Sequence, residues 1–139
     1  MKKLLGIVVL GLLLSENSYA NGTYVKCVSF ELISFKRTGE VIKSSANDFE
    51  DLFEIDDKKK IISKYMELGD YFHELTNVKW SNTNIKWYEN VLEGQLKVSN
   101  DINRITGKFI SNSEMKEIAN PVFKRQIVKS NCKTINKKF

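Results

Sequence analysis

The sequence predicts an all-β protein, a small antiparallel meander that closes into a barrel or a curled sandwich. Apolar and polar residues alternate along several segments, as they do in strands with one buried face. The segments are short and evenly spaced, with turn-forming residues between them. Two cysteines, Cys27 and Cys132, lie near opposite ends of the chain, and a bond between them would bring the first and last strands together.

Read in order, these segments give about eight or nine strands joined mainly by local turns. The first, TYVKCVSFELISF (23–35), is rich in β-branched and aromatic residues, and Gly39 in the following KRTGE suits the left-handed backbone of a hairpin turn. The later segments repeat this design: LFEIDDKKKII (52–62), NVKWSNTNIKW (77–87), GQLKVSNDI (94–102) and VFKRQIVKSNCKTI (122–135).

One or two short helices are expected beside the strands. Apolar residues at 61, 65, 68, 72 and 75 have the spacing of an amphipathic helix, so an α+β fold with a helix over about 61–75 is the alternative. Gly69 and Asp70 weaken that helix, and we favour a strand from about Lys60 followed by a loop or a short helix over 67–74. A second short helix is predicted for 113–119, where Ser113 can cap the first turn and Pro121 would stop it.

The two cysteines are most simply a disulfide if the protein is exported. Because the loop between Cys27 and Cys132 holds nearly the whole domain, the chain-entropy contribution is about 4 to 5 kcal/mol. Free thiols or metal-ligand thiolates are the alternatives. A zinc site needs two further ligands at close spacing, and His73 is the only histidine, so we predict neither a metal nor another cofactor.

The first twenty residues have the pattern of a secretory signal peptide. Lys2 and Lys3 precede an apolar run over 4–14, and Ser18-Tyr19-Ala20 is a small-x-small cleavage site. Removal of residues 1–20 would leave 21–139 as a single β-rich domain, periplasmic or secreted. An uncleaved membrane anchor is the alternative, but the run is shorter than the roughly 20 apolar residues of a spanning helix, so no stable anchor is expected.

The charge pattern argues against nucleic acid as a partner. The chain has 22 basic and 17 acidic residues, a formal charge of +5, and the charges are scattered rather than massed on one element. Attraction to an anionic lipid or cell-wall surface fits this mild excess. The partner classes are therefore a periplasmic protein, the cell wall or a lipid.

The stretch INRITGKF (102–109) looks most like a motif, and we interpret it as a turn. Gly107 suits a positive φ, and the side chains of Asn103 and Thr106 can bond backbone amides inside the turn. Arg104 is then expected to project from the loop and to tolerate replacement by alanine. No general base accompanies the stretch, which favours structure over catalysis.

The sequence predicts no enzyme, because it lacks a nucleophile elbow, a phosphate-binding glycine loop and a pair of metal-binding histidines. Two functions remain. One is a binding module, with Trp80, Trp87, Tyr88, Tyr71 and Arg104 as candidate contacts. The other is a carrier that holds a small apolar ligand inside the barrel. Alternatively the aromatic residues are core, and alternation places both tryptophans on the apolar face and Tyr88 on the other.

Four short motifs carry a resemblance: FEID (53–56), IKW (85–87), INRITG (102–107) and a final Cys-x6-Phe from Cys132 to Phe139. Together they resemble a diffuse set of small exported bacterial proteins, mostly proteobacterial, that has no assigned function. The resemblance implies export and carries no functional residue. Periplasmic lysozyme inhibitors are similar in size, export signal and disulfide use, but their Ser-Gly-x-x-Tyr loop is missing here.

Processing gives the first prediction. The exported protein should begin at Asn21 and be released by osmotic shock, because the signal pattern ends at Ala20. N-terminal sequencing of the released protein checks this. Membrane-bound protein that retains Met1 would show that the segment is an anchor.

Overall fold

The computed structural model describes residues 22–135, which form one antiparallel sheet of ten strands. The predicted signal peptide (1–20) and Phe139 lie outside these residues. The sheet is all-β and curls into a half-barrel, which confirms the predicted fold class. In chain order the strands are β1 (Thr23–Lys36), β2 (Val41–Ser45), β3 (Glu50–Asp56), β4 (Ile61–Met66), β5 (Tyr71–Glu74), β6 (Lys79–Trp80), β7 (Asn84–Val91), β8 (Leu96–Asn103), β9 (Lys108–Met115) and β10 (Phe123–Ile135).

The first and last strands form the middle of the sheet. The order is β5-β4-β3-β1-β10-β9-β8-β7-β6, so β1 and β10 pair with each other and each begins one arm of the meander. The two ends of this order, β5 and β6, follow one another along the chain. The opening of the half-barrel therefore lies between β5 and β6.

Along one of its edges, strand β1 pairs with two different strands. Its first half pairs with β3 and its second half with β2, and the pairing with β10 shifts register between Ser29 and Glu31. At this irregularity the Ser29 amide donates to the Phe49 carbonyl, and the Ala46 amide donates to the Phe30 carbonyl. The bulge thus marks the point where β2 gives way to β3.

The disulfide between Cys27 and Cys132 is present and joins directly opposed residues of β1 and β10. Their Cα atoms are 3.9 Å apart. The Cys132 amide donates to the Gly107 carbonyl at 2.7 Å, so it points away from β1, as expected at a non-hydrogen-bonded pair. The bond therefore fastens the middle of the sheet and contacts the β8–β9 turn.

The core shows how far the sheet curls. Phe53 of β3 lies edge-on to Trp87 of β7 and Phe109 of β9, with ring centroids 5.6 and 5.5 Å apart. The rings of Trp87 and Phe109 stack at 5.8 Å. Four strands separate β3 from β7 in the sheet, so these contacts cross the concave side. All three side chains are buried.

The helix alternative over 61–75 is wrong, and so is a short helix over 67–74. Residues 61–66 and 71–74 are strands β4 and β5, joined by a turn in which Gly69 and Asp70 have φ of 106° and 53°. Two adjacent left-handed residues cannot continue a right-handed helix. The apolar spacing wrongly predicted a helix because Ile61 and Tyr65, which are four residues apart, also share one face of a strand.

The helix predicted over 113–119 is also absent. Ser113 pairs with Gln126 of β10 on one side and Val98 of β8 on the other, so 113–115 complete strand β9 between two partners. Only one turn follows, in which the Asn120 amide donates to the Lys116 carbonyl. Tertiary pairing outweighed the local capping signal.

The bridge gives the second prediction. Denatured protein should not react with a thiol reagent until it is reduced, because the described chain has no free cysteine. Reduction followed by alkylation should lower Tm by roughly 5 to 15 °C, since the loop closed by the bond is long. Calorimetry of the oxidised and the alkylated protein measures this, and equal Tm values would show that the bond does not hold β1 to β10.

Candidate functional site

The INRITGKF stretch forms the β8–β9 turn. The Asn103 Oδ1 atom accepts hydrogen bonds from the amides of Ile105 and Thr106, both at 2.9 Å. Thr106 Oγ1 accepts one from the Lys108 amide at 3.3 Å. Gly107 has φ of 73°, and its carbonyl holds the Cys132 amide. The other predicted turn glycine, Gly39, has φ of 98°. These residues shape the backbone of the two turns.

Arg104 does not project into solvent as the sequence suggested; its exposed fraction is 4%. Nη2 lies 2.5 Å from the Asp57 carboxylate, Nη1 donates to the Ser81 carbonyl at 2.9 Å, and the backbone amide donates to the Thr83 carbonyl at 2.6 Å. Asp57 is in the β3–β4 turn, and Ser81 and Thr83 are in the β6–β7 turn. One arginine therefore connects three hairpin turns at one end of the half-barrel.

Trp80 completes this cluster. The Arg104 Cζ atom and the Lys60 Nζ atom each lie 5.4 Å from the centroid of the Trp80 ring. Lys60 also pairs with Asp57 at 3.1 Å. The ring is half-buried against the core, so its cation contacts belong to the structural clamp and Trp80 offers little surface to a partner.

The clamp lowers the pKa of Asp57. Burial by itself would raise it, but hydrogen bonds and charge from Arg104 and Lys60 stabilise the carboxylate more, so the pKa falls below the ordinary value of 3.8. Asp57 therefore stays ionised and paired at neutral pH.

The remaining aromatic candidates divide as the alternation predicts. Trp87 is in the core with an exposed fraction of 2%. Tyr88, the next residue, is 57% exposed on the opposite face of β7, and Tyr71 is 49% exposed on β5. Only the two tyrosines are therefore accessible, and they lie on different arms of the sheet.

The face of the sheet opposite the apolar core, here called the outer face, carries a row of side chains that sequence reasoning missed. Strand register places Phe35 of β1 opposite Arg125 of β10, Arg125 opposite Glu114 of β9, and Glu114 opposite Lys97 of β8. The Arg125 guanidinium lies 5.2 Å from the Phe35 ring centroid, and its Nε donates to Asn112 Oδ1 at 2.8 Å. These two contacts hold the Arg125 side chain in place within the row.

This row lines a groove with a volume of about 480 Å³, here called the Lys97 groove. Four more residues line it: Gly94, Met115, Lys116 and Lys124. A second groove of about 390 Å³, here called the Tyr88 groove, shares Lys97 and Glu114 with the first. It is also lined by Tyr88, Glu89, Asn90, Val98, Ser99 and Asn112. The two grooves adjoin at Lys97 and Glu114, and Tyr88 is the only lining residue of either groove that the sequence indicated as a candidate.

The described residues show little that fits catalysis or metal binding. Within 22–135 no three His, Cys, Asp or Glu side chains are placed to hold a metal ion. His73 is exposed on β5, where it pairs with Lys64. In the same range no helix is long and apolar enough to cross a membrane.

No protein-family model matches the chain, and no curated protein matches it.

The clamp gives the third prediction. Arg104→Ala should destabilise the protein by roughly 2 to 4 kcal/mol, because Asp57 and the Ser81 carbonyl lose their buried donor. The matched control is Lys59→Ala, an exposed turn cation, which should change stability by less than about 0.5 kcal/mol. Urea unfolding of both variants measures the difference, and equal small effects would show that Arg104 is a surface residue.

The same pair sets a pH dependence. The pKa of Asp57 is lower in the folded than in the unfolded protein. Its contribution to the free energy of unfolding is therefore complete above the unfolded pKa near 3.8 and is lost as the pH falls through the folded pKa. The stability difference between wild type and Asp57→Asn should therefore be constant near neutral pH and shrink below about pH 4.

Proposed function

We propose that this protein is an exported binding module without catalytic activity, and that its outer face contacts a partner in the cell envelope, which is a protein, the cell wall or a lipid. One observation supports this most strongly: two adjoining open grooves, with an exposed tyrosine at their edge, lie on a sheet whose other face is packed. Exposed aromatic side chains beside grooves concentrate contact energy in interfaces.

Export is supported by two independent features. The Cys27–Cys132 disulfide fits an oxidising compartment, and residues 1–20 have the composition of a signal peptide. A periplasmic or secreted location follows if the signal is cleaved.

The internal carrier is the weaker proposal. Its ligand would lie on the concave side, where Phe53, Trp87 and Phe109 are in contact and fully buried. A ligand at that position would have to displace three aromatic rings, which costs the packing of the core. The outer grooves are already open and need no such change.

The proposal that catalysis is absent is supported by the separation of the titratable groups. The sole histidine, His73, is on β5 and lines neither the Lys97 groove nor the Tyr88 groove. Glu114 and Glu89 line the Tyr88 groove, but Glu89 accepts a hydrogen bond from Asn100 at 3.0 Å. Neither groove therefore has a histidine that could serve as a general base.

The fourth prediction concerns Tyr88. Immobilised mature protein should retain an envelope component from an extract of its own cells, and Tyr88→Ala should lose at least about nine-tenths of it, as for an interface residue worth more than 1 kcal/mol. Tyr71→Ala is the matched control, since it removes a similarly exposed tyrosine from the other arm. Mass spectrometry of bound proteins and lipids measures retention.

The result separates the two tyrosines. Loss of the component with Tyr71→Ala alone would move the site to β5 and contradict the outer-face assignment. Retention of nothing by the folded wild-type protein would contradict the binding module itself.

A further inference from the structure

We infer that the Lys97 groove binds a single amphipathic anion, a molecule with an apolar chain and a carboxylate or phosphate head. This inference rests on the proposed function, because it names the ligand class of the same outer face. It is carried by the charge, the apolar floor and the size of the groove.

The charge of the groove is positive and locally uncompensated. Lys97, Lys116, Lys124 and Arg125 contribute four cations against the single carboxylate of Glu114, an excess of three. None of these five side chains forms an ion pair within the described part of the chain. An anionic head would supply the missing counter-charge.

Two other lysines on the same face are neutralised. Lys129 pairs with Glu31 at 3.2 Å, and Lys86 lies 3.7 Å from Asp101. Both pairs lie in the same row of side chains across the strands. One further row separates it from the row that lines the groove. Lys108 and Lys133 on this face also form no ion pair within the described part of the chain, so the groove is distinguished by the four cations that surround one space.

The groove also has an apolar floor. The Phe35 ring is among its lining residues, and long lysine side chains add methylene surface beneath their charged ends. A small inorganic anion would leave this apolar surface wet, whereas an alkyl chain would cover it. A neutral apolar molecule would in turn leave the cations without a partner.

One cation is already oriented for the head group. Arg125 is held by the Phe35 ring on its face and by Asn112 Oδ1 at Nε, while its two terminal nitrogens donate to no other described residue. A guanidinium fixed in this way presents two parallel donors to a carboxylate or phosphate. The volume of about 480 Å³ is within the usual range for small-ligand sites.

The test titrates the oxidised mature protein with sodium dodecanoate below its micelle concentration, by calorimetry and by amide chemical shifts. Binding should be saturable with one site, and the shifts should centre on Gly94, Lys97 and Arg125. Affinity should fall about fourfold for each methylene removed in decanoate and octanoate, if the chain is buried. Dodecanol and acetate, which each lack one half of the ligand, should bind at least about tenfold more weakly.

Two double variants separate a specific site from general charge attraction. Lys97→Gln with Lys124→Gln should weaken dodecanoate binding at least about tenfold. Lys58→Gln with Lys59→Gln makes the same change in net charge at exposed positions in the β3–β4 turn and should leave binding unchanged. Equal weakening by both pairs would overturn the inference.

Further outcomes overturn it in distinguishable ways. Adsorption to vesicles of equal parts phosphatidylglycerol and phosphatidylcholine, without saturable binding of dodecanoate, would replace the groove ligand by a lipid surface. If folded wild-type protein ignores dodecanoate but still retains an envelope component that Tyr88→Ala loses, only the ligand class is wrong. If neither is bound, the binding module is contradicted as well.

Discussion

The antiparallel pairing of β1 with β10 is the constraint on which the rest of the structure depends. It joins the two ends of the described chain in the middle of the sheet, where the disulfide between opposed Cys27 and Cys132 holds the register. Each strand of this pair then begins one arm of the meander, β3 to β5 on one side and β9 to β6 on the other. The two arms curl toward each other over one apolar core that contains residues from both. The contact of Phe53 with Trp87 is the result of that curl.

The two faces of this sheet have different tasks. The concave face is apolar where the arms meet, and the Arg104–Asp57 pair clamps the turns at one end of it. Such a buried pair is costly to break, but it adds little net stability over an apolar contact, so its main effect is to fix which turns meet. The outer face carries the open grooves and the unpaired cations of the Lys97 groove. Packing on one side thus leaves the other side available for a partner.

The sequence predicted features that depend on local patterns and missed those that depend on distant register. Alternation over TYVKCVSFELISF and the single possible cysteine pairing were enough for an all-β sheet with adjacent terminal strands. The segment 61–75 was ambiguous because the four-residue spacing from Ile61 to Tyr65 suits both a strand face and a helix stripe. Arg104 looked exposed because its partner Asp57 is 47 residues away in the chain. The Lys97 groove could not be predicted, since aligning Phe35, Arg125, Glu114 and Lys97 requires the register of four strands and the bulge in β1.

The central claim is that the two arms close over one core, and nuclear Overhauser contacts across the concave side test it most directly. A sample with selectively labelled phenylalanine and tryptophan would report the distance between the Phe53 ring and the Trp87 indole, whose centroids lie 5.6 Å apart. The account predicts clear cross-peaks from Phe53 to both Trp87 and Phe109, together with the backbone contacts between β1 and β10. Backbone contacts between β1 and β10 without any cross-peak between Phe53 and Trp87 would show an open sheet and contradict the half-barrel.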